Sequence, residues 1–156
     1  MPARVQTEDF DVSRELAKLR GDDRAVGAVA AFIGTVRDVN DNARIDSMTL
    51  EHYPGMTEKA LGDIVDAAKS RWDIVDALVI HRVGALAPSD QIVLVGVTSA
   101  HRGEAFAACE FIIDYLKTQA PLWKKEETSK GARWVEARAA DDEAAARWQG
   151  PRKPRA

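Results

Sequence analysis

Apolar positions along the chain recur with two periods, one near 3.6 residues and one near 2, and their alternation outlines a fold. In DVSRELAKLR (residues 11–20) Val12, Leu16 and Leu19 share one helical face, with Asp11 or Ser13 available as N-cap and Gly21-Asp22-Asp23 to end the helix. GAVAAFIGTVR (27–37) is apolar and rich in small and β-branched residues, which predicts a largely buried strand. DVNDNARID (38–46) is turn chemistry and predicts a mobile loop. SMTLEHY (47–53) alternates as a strand until Pro54-Gly55 stops it. Residues 57–72 read as a helix capped by Thr57, with Ala60, Leu61, Ile64, Val65 and Ala68 in one stripe.

Two further strands follow at 77–83 and 91–98, joined by the turn-rich ALAPSD. A second long helix spans 104–120, with Ala105, Cys109, Ile112, Ile113 and Leu116 inward, and Pro121 forces the residue before it out of helical geometry. Short strands at 122–127 and 133–138 flank the SKGA turn, DDEAAARW (141–148) adds a helical turn or two, and GPRKPRA is a basic tail expected to be disordered. The order α-β-β-α-β-β-α-β-β describes an α+β domain: one unit over 1–148, then the tail at 149–156.

Composition narrows the class. With 156 residues, 46% hydrophobic and 30% charged, the chain can bury a core without cross-links. Its single cysteine, Cys109, excludes an internal disulfide and favours a reducing cytoplasm. No apolar run approaches the ~18 residues of a membrane span, and the polar, acidic N-terminus does not read as a signal peptide. A net charge of −3 argues against general nucleic-acid affinity. His52, His81, His101 and Cys109 share no metal-ligand spacing, so no metal is expected.

Chemistry concentrates in two places. In VTSAHRGEAF (97–106) a strand feeds a helix with His101 and Arg102 at the junction, a setting that suits a phosphate or carboxylate. The plainer reading is that Ser99 caps the helix and Arg102 meets a surface carboxylate. In DYLKTQAPLWKKEE (114–127) Lys117 and Lys124 flank the reversal at Pro121. Lys117 also complements its helix dipole, but Lys124 shares a strand face with Leu122 and Glu126 while Trp123 points away. With Arg37 and Arg138 at or in strands, several cations can surround one anionic ligand.

The runs TLEHYPGMTEKAL (49–61), VGVTSAHR (95–102), DYLKTQAPLWKKE (114–126) and RWVEAR (133–138) closely resemble the large, catalytic subunit of molybdopterin synthases, in register over roughly residues 26–148. That resemblance implies an α/β hammerhead fold with an additional β-rich subdomain. It implies a sulfurtransferase reaction with no cofactor of its own, converting cyclic pyranopterin monophosphate (precursor Z) to the dithiolene of molybdopterin. Sulfur arrives as a thiocarboxylate on the C-terminal Gly-Gly of a small ubiquitin-like carrier, and a dimer of large subunits binds one carrier at each end, a heterotetramer. Carried over by position, the two active-site lysines are Lys117 and Lys124. The phosphate and pterin residues are Phe32, Arg37, His101, Arg102 and Arg138, part of the set coming from the neighbouring large subunit. Family members often have Met where Ile113 stands, a change between apolar side chains. Two alternatives remain: a non-catalytic module that binds an anion and a peptide tail, and a persulfide sulfurtransferase using Cys109.

Overall fold

The computed structural model describes residues 2–40, 42–135 and 139–149. In chain order the elements are β1 (Ala3–Gln6), α1 (Val12–Arg20), β2 (Ala28–Thr35), β3 (Val39–Asn40), β4 (Ala43–His52), α2 (Met56–Arg71), β5 (Asp76–Arg82), β6 (Gly84–Leu86), β7 (Gln91–Ser99), α3 (Arg102–Gln119), β8 (Leu122–Thr128), β9 (Gly131–Val135) and α4 (Ala139–Ala146). The α+β class read from the sequence is the class observed, with strands in two sheets.

The first sheet has the order β1-β5-β7-β2, parallel between β1 and β5 and antiparallel elsewhere. Strand period sorts its side chains. Ala77, Val79, Val93, Val95 and Val97 enter the main core with α2 and α3, while Leu78, Ile80 and Leu94 meet Leu16 and Leu19 of α1 on the other face. A Cβ at Gly96 would lie 2.9 and 3.0 Å from Leu16 and Leu19, so this glycine lets α1 seat against β7. The second sheet has the order β3-β4-β8-β9, with β6 also paired to β4.

Residues 38–46 differ from the loop expected of them. Val39 and Asn40 pair with Arg44 and Ala43 across a tight turn in which Asn42 adopts φ 61°, a conformation that asparagine tolerates. Turn residues at its centre disguised a hairpin whose strand β4 begins four residues before the alternating pattern does. The helix caps also moved. The Gly55 N–H is bound by the Glu58 carboxylate at 2.8 Å, and Thr57 lies fully buried inside α2. Its hydroxyl accepts from the Tyr53 N–H (3.0 Å) and donates to the Pro121 carbonyl (2.9 Å), tying the start of α2 to the reversal between α3 and β8. Ser99 is buried at the end of β7, where its hydroxyl donates to the Asp73 carbonyl (2.9 Å) and accepts from the His101 N–H (3.3 Å).

Helix α4 packs on α3, and Trp148 just beyond it reaches the end of α2. Trp148 donates its indole N–H to Asp114 (2.7 Å) and accepts from Arg71 at its carbonyl (2.8 Å), while its ring meets Trp72 and Phe111 edge-on.

Candidate active site

Apolar packing brings the last turn of α3 out between the two sheets. Leu116 is buried beneath it, and at Ala120 the backbone turns extended to enter β8. A cleft of about 470 Å³ opens there, walled by the end of β2, by β4, by His81 of β5, and by β8. Phe32, Arg37, Lys117 and Lys124 all line it, so one chain brings together four of the seven residues singled out in the sequence. Strand geometry in β8 is as the alternation predicts: Leu122, Lys124 and Glu126 face the cleft, and Trp123 is 48% exposed on the far side.

Of the other three, His101 and Arg102 begin α3, exposed, and do not line the cleft. Arg102 and Lys117 are fifteen residues apart on one helix, ~22 Å along its axis. Arg138 lies outside the described residues.

Two groups escaped the sequence reading. Glu126 is 3% exposed, and its carboxylate accepts from the Asn40 side-chain amide (3.1 and 3.2 Å) and from Arg133 Nε (3.2 Å). Arg133 also donates to the Asn40 carbonyl (2.8 Å), and Arg37 reaches the Asn40 side-chain oxygen at 3.5 Å. A buried carboxylate demands such partners, and here they tie β3, β8 and β9 together under the Arg37 side of the cleft. The signal in the sequence was a charge two positions after Lys124, on the same inward face.

His81 is the second. It is buried, and that burial, with Lys117, Lys124 and His52 nearby, pushes its pKa down to about 4 although the Arg82 carbonyl works the other way. The unfolded chain therefore binds a proton near pH 6.5 that the folded chain refuses until about pH 4, and stability falls as pH drops through that window. Urea denaturation at pH 7 and at pH 4 is expected to show this group costing about 3 kcal/mol, a loss missing from His81→Asn.

Cys109 is buried mid-helix with its thiol 3.9 Å from the Val95 carbonyl, and burial pushes its pKa up to about 11. It is a small apolar filler rather than a thiolate. Among the described residues no group of three or more His, Cys, Asp or Glu side chains is placed to hold a metal ion, and no helix is long and apolar enough to cross a membrane.

Comparison with known proteins bears on what this cleft is for. The chain matches the MoaE protein family over residues 5–119. It is 68% identical over 145 residues to a molybdopterin synthase catalytic subunit from Ralstonia nicotianae, covering 93% of this chain and 82% of that one. Its structure resembles the molybdopterin biosynthesis MoaE protein from Burkholderia ambifaria with a TM-score of 0.81 at 55% identity, covering 96% and 98% of the two chains. It also resembles molybdopterin synthase from Staphylococcus aureus, with a TM-score of 0.79 at 31% identity over 85% of this chain and 95% of that one.

Proposed function

The chain belongs to the MoaE protein family, and from that membership we infer that it is the catalytic subunit of a molybdopterin synthase, a sulfur-transferring enzyme of molybdenum-cofactor biosynthesis. The observation that carries the site assignment is the convergence of Lys117, Lys124, Arg37 and Phe32 on one cleft. The substrate is cyclic pyranopterin monophosphate, and the sulfur donor is the C-terminal thiocarboxylate of a small ubiquitin-like carrier working with this chain in the cytoplasm. Both reactants are anions, and holding them together requires several cations in a partly desolvated site.

The carrier's sulfur bonds to a side-chain carbon of the pterin as that carbon's bond to oxygen breaks, the oxygen leaving with the opened cyclic phosphate at one carbon and as water at the other. Water then cleaves the bond between that sulfur and the carrier's carbonyl carbon, releasing the carrier as an ordinary carboxylate. Negative charge gathers on oxygen as the acyl group collapses, and a positioned ammonium stabilises it or an amine moves the proton. Lys117 acts closest to the reacting atoms and Lys124 is its electrostatic partner. Phe32 and Arg37 bind the pterin and its phosphate, with Arg138 in the same role. The carrier's slim Gly-Gly tail gains its hold from backbone hydrogen bonds at a sheet edge. Strand β9 supports this, because it ends the second sheet among the described residues and Val135 lies in the cleft wall.

His101 and Arg102 enter the site from a second copy of the chain. Among the described residues β2 ends the first sheet, and this edge supports such a dimer, with Val29, Phe32 and Ile33 each 37–40% exposed along it. One end of β2 pairs with Ser99, close to His101, and the other leads to Arg37. Two copies joined antiparallel along this edge would bring the Arg102 end of one to the cleft of the other.

The test supplies the purified chain with thiocarboxylated carrier and cyclic pyranopterin monophosphate and assays for dithiolene. Product formation is expected. Binding of both ligands without product would leave only the non-catalytic module. Cys109→Ala in the same assay should keep most of its activity while losing about 1 kcal/mol of stability by urea denaturation. Loss of turnover in a folded Cys109→Ala protein would favour the persulfide route.

A further inference from the structure

His81 shares the cleft with both lysines, yet nothing in the sulfur transfer described above uses it. Its side chain projects from β5 on the same face as Ala77 and Val79, toward α3 and β8. Nδ1 lies 2.8 Å from the Arg82 carbonyl oxygen. A carbonyl can only accept, so Nδ1 carries the proton and Nε2 keeps a bare lone pair. The charged and titratable groups acting on the ring are Lys117 from α3, Lys124 from β8 and His52 from β4, with Arg82 next along β5, and Arg37, Glu126 and Asp141 line the same cleft. Burial first, and the two lysines beside it second, keep the imidazole uncharged, so it offers them an acceptor and adds no third positive charge.

We propose that His81 is a positioning residue: its Nε2 accepts a hydrogen bond from an ammonium group of the Lys117–Lys124 pair and fixes where that charge is held before substrate arrives. A lysine stem is flexible, and a charge must be aimed in advance to favour the transition state. The inference rests on the lysine-centred reading of the cleft.

Two substitutions separate this role from a merely structural one. His81→Asn keeps an N–H donor at the place of Nδ1 and has no atom at the place of Nε2. His81→Gln reaches the Nε2 position with an amide oxygen and gives up the bond to Arg82. Two readouts apply. The first is single-turnover dithiolene formation from thiocarboxylated carrier and cyclic pyranopterin monophosphate. The second is the pH midpoint for acylation of Lys117 and Lys124 by a small amine-reactive reagent, read by peptide mass spectrometry.

His81→Asn is expected to slow the turnover by about tenfold or more with substrate affinity little changed. The labelling midpoint of one lysine should fall, because its ammonium has lost an acceptor. His81→Gln should recover both. An Asn variant with wild-type rate and unmoved midpoints, or a Gln variant worse than the Asn one, would overturn the proposal. Labelling needs no turnover, so it still decides the role of His81 if the wild-type chain forms no dithiolene.

Discussion

Lys117→Ala is expected to abolish dithiolene formation while leaving the fold and carrier binding nearly intact. The side chain is exposed on the last turn of α3, and the packing of that turn comes from its buried neighbour Leu116. Losing the lysine therefore removes only a favourable interaction with the helix dipole, about 0.3–1 kcal/mol. The expected effect on rate is of another order, because Lys117 lines the cleft where, on the proposed mechanism, charge develops on oxygen. Lys124→Ala removes the companion charge and should slow turnover by about 10²–10³. Single-turnover kinetics give the rates, thermal melting checks the fold, and titration with the carrier checks binding. Near-normal turnover in Lys117→Ala would sink the lysine mechanism.

Arg102→Ala, inactive or nearly so alone, should regain activity when mixed with Lys117→Ala under conditions that let subunits exchange. Arg102 stands at the opposite end of α3 from Lys117, outside the cleft of its own chain. If the site takes its lysines from one copy and Arg102 from the other, a hybrid dimer holds one site with both defects and one with neither. Random exchange makes half of the dimers hybrid, so about a quarter of the wild-type site activity should return. Arg102→Ala alone should weaken binding of the phosphate substrate much more than binding of the carrier. A mixture no more active than its components, in a preparation shown to have exchanged, would place Arg102 outside the site in both copies.

The long helices were legible because their periodicity is carried by the same residues that make the core, whereas β2, expected to be largely buried, is mostly exposed. Leu61, Ile64, Val65 and Ala68 of α2, and Ala105, Cys109, Ile112 and Leu116 of α3, are buried as their spacing predicts. Short strands were not legible. The four residues of β1 and the three of β6 are defined by what they pair with, β5 and β4, and too few positions exist for a period to show. The same limit applied to chemistry. Lys117 and Lys124 flank a proline close together in sequence, so their meeting could be anticipated. Glu126 needs Asn40, which is 86 residues away, and His81 reads as an ordinary inward strand position until α3 and β8 are placed against it. Arg102 reads as an anion ligand from its helix start, and only the length of α3 shows how far it stands from the lysines.

The pairing of β4 with β8 joins Leu50 to Lys124, and that of β1 with β5 joins Ala3 to Val79, in each case more than seventy positions apart. Chains dominated by such distant pairings pay their loop-closure entropy early and fold in roughly milliseconds to seconds, slower than helical bundles. The cleft has no local precursor, since Lys124 reaches it only after β8 has found a strand made far earlier. A chain still emerging from the ribosome thus presents neither the lysine pair nor the wall that shields it. On the proposed sulfur transfer, a half-made chain would offer a reactive thiocarboxylate no lysine-lined cleft in which to react.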